Sequence, residues 1–140
     1  QIVNEGKPLL GICLGLQLLF SKSYEMGHFK GLEIIKGDIK SFDISKVHKI
    51  PQIGWNSVNF QDEGHFLVQG IPNNSYFYFV HSFYCIPVNT ENILGLTQYG
   101  KIKFCSMISK DNIFATQFHP EKSSKYGIKM YKNFIDFCKK

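Results

Sequence analysis

Cys13 stands in the run Leu9-Leu10-Gly11-Ile12-Cys13-Leu14-Gly15-Leu16-Gln17, and Gln117-Phe118-His119-Pro120-Glu121 follows far downstream. A thiol, a base and a carboxylate able to orient that base are the parts of covalent acyl transfer. The first run reads as a nucleophile at a sharp turn between an apolar strand and a helix. Gly11 and Gly15 are expected to remove side chains where backbones pass closely. A helix start behind Cys13 favours thiolate, and the Leu14 N–H can donate to a developing oxyanion. In the second run, extended residues two apart face the same way, so His119 and Glu121 meet on one side while Pro120 stiffens the turn. Glu121 then holds one imidazole nitrogen and the other faces Cys13. Each run alone also fits a plainer role, a buried structural cysteine and a strand-end His-Pro turn. Both together, each at the end of an expected strand, point to chemistry.

The elements that must position these groups read as α/β, strands inside and helices outside. Residues 8–12 form a short apolar run, expected as a buried strand, and residues 15–21 a short buried helix. Gly27, Gly31 and Gly37 mark loops and turns. Strands are expected at 38–42, 57–60, 76–86, 93–98, 103–108 and 113–118, with turns at Tyr99-Gly100 and Lys110-Asp111-Asn112. Residues 125–140 are the clearest helix. Tyr131, Phe134, Ile135 and Cys138 recur at spacings of three and four and are expected on its buried face. Ser123 or Ser124 is its expected cap.

The chain has 140 residues, 44% apolar and 15% aromatic, enough for one domain with a real core. It carries a formal charge of +5, from scattered lysines with no arginine. Nucleic-acid readers favour arginine for bidentate contacts, so no nucleic-acid partner is expected. A basic face that docks an acidic partner or draws an anionic substrate stays open. The four cysteines, Cys13, Cys85, Cys105 and Cys138, form no C-x-x-C pair. Neither a metal site nor a disulfide framework is expected. His28, His48 and His65 lie in polar stretches and read as surface residues, while His81 sits inside an aromatic strand. No signal peptide or membrane-spanning run is read, and the cytoplasm is the expected compartment. The chain opens at Gln1 with no Met, and its first strand runs straight into Cys13. It is therefore expected to be the C-terminal portion, residues 1–140, of a single longer domain.

The two catalytic runs resemble the class I, triad-type glutamine amidotransferases, with their G-x-C-x-G-x-Q and later F-H-P-E. Ile53-Gly54-Trp55-Asn56 and Tyr76-Phe77-Tyr78-Phe79-Val80-His81-Ser82 narrow the likeness to the glutaminase subunit of imidazole glycerol phosphate synthases. The resemblance implies an open mixed or parallel sheet flanked by helices, flavodoxin-like, here in part. It implies catalysis by Cys13, His119 and Glu121 through a γ-glutamyl thioester, with no cofactor and no metal. Glutamine would be held by Leu14, Gln17, His81, Ser82 and Phe83. Ammonia would pass to a (β/α)8-barrel cyclase in a heterodimer, with Trp55, Asn56, Tyr78 and Lys122 at or near the interface. Leu16, Phe83 and Gln52 stand where the family commonly has Met, Tyr and His. Three alternatives stay open here: a paralogue feeding ammonia to a sugar-modifying amidotransferase, a cysteine hydrolase of the same fold, and a non-catalytic fragment.

Overall fold

The structure is a computed structural model that describes residues 1–23 and 29–140. The expectations at Gly27 and His28 lie outside the described residues. β1 (Leu9–Ile12) leads into α1 (Leu14–Leu18), and then come β2 (Phe20–Ser23), β3 (Phe29–Lys30) and β4 (Ile35–Ser41). Next are β5 (Gln52–Ser57), β6 (Asn59–Phe60), β7 (Tyr76–His81) and β8 (Phe83–Pro87). β9 (Ile93–Tyr99), β10 (Ile102–Lys110), β11 (Ile113–Thr116) and α2 (Ser124–Cys138) complete the chain.

The main sheet is open and mixed, in the order β1-β11-β10-β8-β4-β2-β3, with β9 beside β10 and β6 beside β9. β1 runs parallel to β11, with Ile12 opposite Thr116, and β2 runs parallel to β4. The β10–β11 and β4–β8 pairs are antiparallel. β5 and β7 form a separate antiparallel ribbon, Trp55 opposite Tyr78 and Gln52 opposite His81. All four residues of β11 are buried. Ile113 and Ala115 join one apolar cluster with Leu16, Phe20 and Ile39, while Phe114 joins another with Phe77, Phe104 and Met130. Successive strand residues point to opposite faces, so the main sheet carries a core on each side. β10 serves both cores through an irregular register between Cys105 and Met107.

Several expected elements differ in instructive ways. The first helix ends at Leu18, and Phe20–Ser23 is a strand, because parallel pairing with β4 overrides a locally helical pattern. Gly37 lies within β4 rather than in a turn. A Cβ there would meet the Ile86 carbonyl oxygen at 2.3 Å, so the glycine admits the neighbouring strand. The aromatic run 76–86 breaks at Ser82 into two strands of different sheets. β5 was not expected, since Gly54 and Asn56 are poor strand formers. On α2 the packed line is Tyr126, Gly127, Met130, Phe134 and Phe137, whereas Ile135 and Cys138 are exposed. Two overlapping apolar stripes exist on this helix, and contact with the 3-10 turn Phe66–Val68 selects one of them. His65 is half-buried rather than at the surface. Its Nδ1 accepts from the Leu67 N–H at 3.1 Å, so Nε2 carries the proton and donates to Ser109 Oγ at 3.1 Å. Among the described residues no helix is long and apolar enough to cross a membrane.

Candidate active site

Cys13 links β1 to α1 at φ 54°, ψ −102°, a left-handed backbone that costs energy in a non-glycine residue. The strand on one side and the helix on the other hold it there. Its N–H donates to the Thr116 carbonyl at 2.8 Å, and its carbonyl accepts from Leu16 and Gln17 N–H groups at 3.1 and 3.3 Å. A Cβ on Gly11 would lie 3.1 Å from the Gly15 carbonyl, so the close approach expected at Gly11 is present. Gly15 itself faces nothing within 4 Å, and packing does not require a glycine there. Leu14 is the first residue of α1, where backbone N–H groups have no intrahelical acceptor.

The Cys13 run and the His119 run meet the same edge of β7. The Cys13 thiol contacts the Val80 carbonyl at 3.9 Å, and the His119 N–H donates to the Tyr78 carbonyl at 2.9 Å. Carbonyls two residues apart share one strand edge, so β7 sets the offset between Cys13 and His119. His119 Nδ1 lies 2.6 Å from Glu121 Oε1. The carboxylate can only accept, so Nδ1 carries the proton and Nε2 is left as the base. Partial burial pushes the Glu121 carboxyl up, but hydrogen bonds from its own backbone, His119 and Tyr131 outweigh it and hold the group below its usual range. Tyr131 of α2 donates to Glu121 Oε2 at 2.9 Å. Burial and that carboxylate push the phenol up to about 12.

Ser123 does not cap α2 with its side chain. Its buried hydroxyl donates to the His119 carbonyl at 2.6 Å and accepts from the Tyr78 N–H at 2.9 Å, riveting the His119 turn to β7. Sequence reading missed Tyr131 and this use of Ser123.

A cleft of about 400 Å3 opens beside Cys13, lined by Leu14, Gln17, Pro51, Val80, His81, Ser82 and Phe83. All five residues expected to hold a substrate therefore line one cleft with Cys13. A larger cleft of about 490 Å3, lined by residues such as Ser21, Glu33, Lys36 and Asp38, has no cysteine or histidine in its wall. His81 is also tied into the scaffold of the cleft. It is buried, with Nδ1 2.8 Å from the Phe83 carbonyl and Nε2 2.7 Å from the Gln52 carboxamide. Both nitrogens have partners within the chain, so the ring ties the Ser82–Phe83 turn to Gln52 while lining the cleft. Burial pushes His81 down to about 4; the Phe83 carbonyl pulls the other way, and the nearby His119 charge adds to the depression. The atom placed at that distance is Gln52 Oε1, so a neutral ring protonated on Nδ1 requires the carboxamide to be turned end for end, its Nε2 donating to the ring.

The outward face of the β5–β7 ribbon carries Ile53, Trp55, Tyr76 and Tyr78, with Trp55 about half exposed. The Trp55 and Tyr78 rings meet edge-on, 6.1 Å apart. Lys122 is exposed in the turn Pro120–Lys122, next to the Ser123 that binds Tyr78. Asn56 departs from this group, because its side chain donates to the Gln98 carbonyl at 2.8 Å. Among the described residues no three His, Cys, Asp or Glu side chains cluster to hold a metal.

The sequence model described as "Glutamine amidotransferase class-I" matches residues 1–137. The chain belongs to that family. It is 50% identical over 135 residues to imidazole glycerol phosphate synthase subunit HisH of Chlorobaculum tepidum, covering 96% of this chain and 66% of that protein. It is 52% identical over 136 residues to the HisH subunit of Methanocaldococcus jannaschii, covering 97% and 67%. The chain thus spans about two thirds of the length of these curated relatives. The fold is shared with a glutamine amidotransferase from Thermotoga maritima, at TM-score 0.64 and 18% identity, covering 99% of this chain and 52% of that one. It is also shared with a chain of PurLQS from Thermotoga maritima, at TM-score 0.70 and 17% identity, covering 97% and 64%.

Proposed function

We propose that this chain carries the glutaminase centre of an imidazole glycerol phosphate synthase. The observation that carries the reading is the strained Cys13 elbow beside a His119–Glu121 pair, both held on one edge of β7. Glutamine enters the cleft lined by Leu14, Gln17, Ser82 and Phe83. The Cys13 thiolate attacks the side-chain amide carbon, and the Leu14 N–H donates to the tetrahedral oxyanion. His119 Nε2, having taken the Cys13 thiol proton, passes it to the leaving nitrogen, and ammonia departs from a γ-glutamyl thioester. The same nitrogen then takes a proton from water, which attacks the thioester to release glutamate and restore the thiol. Glu121 stabilises the imidazolium and fixes its tautomer through Oε1.

Ammonia loses its value if it leaks to solvent, so the centre is expected to work against a partner. The exposed Trp55–Tyr78 face is built on β5 and β7, and the cleft is lined by Val80 of β7 and by Pro51, the residue just before β5. A cyclase of (β/α)8-barrel type seated there would receive ammonia at close range, in the cytoplasm where thiols stay reduced.

The test is glutamate release from glutamine, with and without a cyclase barrel and its ribulosyl phosphate ligand. Stimulation by barrel and ligand, lost in Cys13→Ala, is the expected result. Turnover indifferent to that barrel would move the ammonia to another acceptor, such as a sugar-modifying synthase. No turnover under any condition would refute the catalytic reading.

A further inference from the structure

The centre contains a buried carboxamide that the triad does not explain. Gln117 follows β11, wholly buried, with its backbone N–H on the Ser106 carbonyl at 2.9 Å. A side-chain amide buried at a strand end is costly unless its groups are paired. Its partners form a chain with only one sense of direction. The Phe83 carbonyl can only accept, so Gln17 presents its Nε2 there, at 3.4 Å. The same Nε2 lies 3.3 Å from Gln117 Oε1, which accepts. With its oxygen occupied, the Gln117 carboxamide turns Nε2 toward Cys13 Sγ at 3.6 Å. A backbone carbonyl in the glutamine cleft therefore dictates, through two amides, that the sulfur receives a hydrogen-bond donor.

The helix behind Cys13 has only five residues, so few aligned peptide dipoles face the sulfur. A fixed amide N–H favours a sulfur anion over a neutral thiol, because hydrogen bonds to charged groups are the stronger ones.

We propose that Gln117 is a catalytic residue: its Nε2–H donates to Cys13 Sγ, stabilises the attacking thiolate, and is held in that orientation by Gln17. This deepens the glutaminase reading and rests on it for the identity of the reaction. Gln17 then has a positioning role through Gln117 as well as a place in the cleft wall. When Cys13 sulfur bonds to the γ-glutamyl carbon, the anion is consumed and the hydrogen bond weakens. When the thioester is hydrolysed, it reforms on the departing thiolate and assists that step.

The test measures Cys13 alkylation by iodoacetamide as a function of pH, with the modified peptide located by mass. The background carries Cys138→Ser, which removes an exposed competing thiol. Gln117→Met keeps length and neutrality but removes the donor. The apparent Cys13 thiol pKa is expected to rise by about one unit, a tenfold smaller thiolate fraction below it. Gln117→Glu keeps the shape and the acceptor for Gln17 but sets a carboxylate beside the sulfur, and its rise is expected to be larger. Gln17→Met frees the Gln117 amide to turn, and an intermediate rise is expected. In turnover, kcat should fall while KM for glutamine holds in the Gln117 variants. Alkylation profiles superimposable on the parent, in whichever of the three variants folds, would overturn the proposal. Alkylation needs no glutamine, so the two readings fail separately. Shifted profiles without glutaminase turnover would refute the reaction alone, and unshifted profiles with turnover would refute Gln117 alone.

Discussion

Acidification should weaken this fold through His81 in particular, by an amount the structure sets. The ring is buried and neutral, pushed down from 6.5 to about 4. Between those values the unfolded chain binds a proton that the folded chain refuses, so unfolding becomes easier as pH falls. Above 6.5 both states are neutral at this group and it adds no pH dependence. Each unit of separation is about 1.4 kcal/mol, so the stability lost between pH 6.5 and about 4 approaches 3 kcal/mol, of which about 2 kcal/mol is gone by pH 5. His119 and Glu121 face the same region, and half-buried His65 is also depressed by burial. A difference measurement removes their shared contribution. His81→Asn can keep a donor to the Phe83 carbonyl and does not titrate. Urea unfolding of parent and variant at several pH values from 7 to 5 gives two stability curves. The variant is expected to start less stable at pH 7 and to fall more gently, with the gap closing by about 2 kcal/mol at pH 5. Parallel curves would show that His81 is not held neutral, and the tautomer assigned through Gln52 would fall with it.

Other substitutions probe the scaffold and the face beyond it. Gly127→Ala would place a Cβ 1.9 Å from the Pro120 carbonyl oxygen, forcing α2 off the turn that follows His119. A loss of about 1–3 kcal/mol is expected in thermal or urea unfolding, and an unchanged midpoint would contradict the packing described. Tyr131→Phe removes the second side-chain hydrogen bond on Glu121. A fall in kcat of less than about tenfold is expected, with KM and stability nearly unchanged, since such a partly exposed bond is worth about 1 kcal/mol. Trp55→Ala should leave the isolated chain's stability almost intact but weaken binding to the cyclase by about thirtyfold in calorimetry, as a central aromatic anchor does. Unchanged affinity would move the interface elsewhere.

Much of the site was legible because its logic is local. The i, i+2 spacing of His119 and Glu121 fixes a shared side in any extended segment, and the 2.6 Å pair follows from it. The elbow at Cys13 was legible because a short apolar strand, a glycine-flanked thiol and an apolar helix lie in one run. The grouping of Leu14, Gln17, His81, Ser82 and Phe83 came from the family likeness alone; in the structure the five line one cleft with Cys13. Long-range partnerships were not legible. Gln17 meets Phe83 across 66 positions and Gln117 across 100, while Gln52 meets His81 across 29. No periodicity encodes such meetings; the order of strands in the sheets does. The break at Ser82 was hidden for the same reason, since residues on both sides have equal strand propensity and only their different pairing partners separate them. On α2 the period is legible and the face is not, because a helix with two apolar stripes is resolved by what it packs against.

The most direct test of the central claim is an acid-quenched intact-mass measurement of the chain during turnover with glutamine. The account predicts an adduct of glutamine less ammonia, mapped to Cys13 and lost in Cys13→Ala. Glutamate production with no adduct on Cys13, or an adduct on another cysteine, would contradict it.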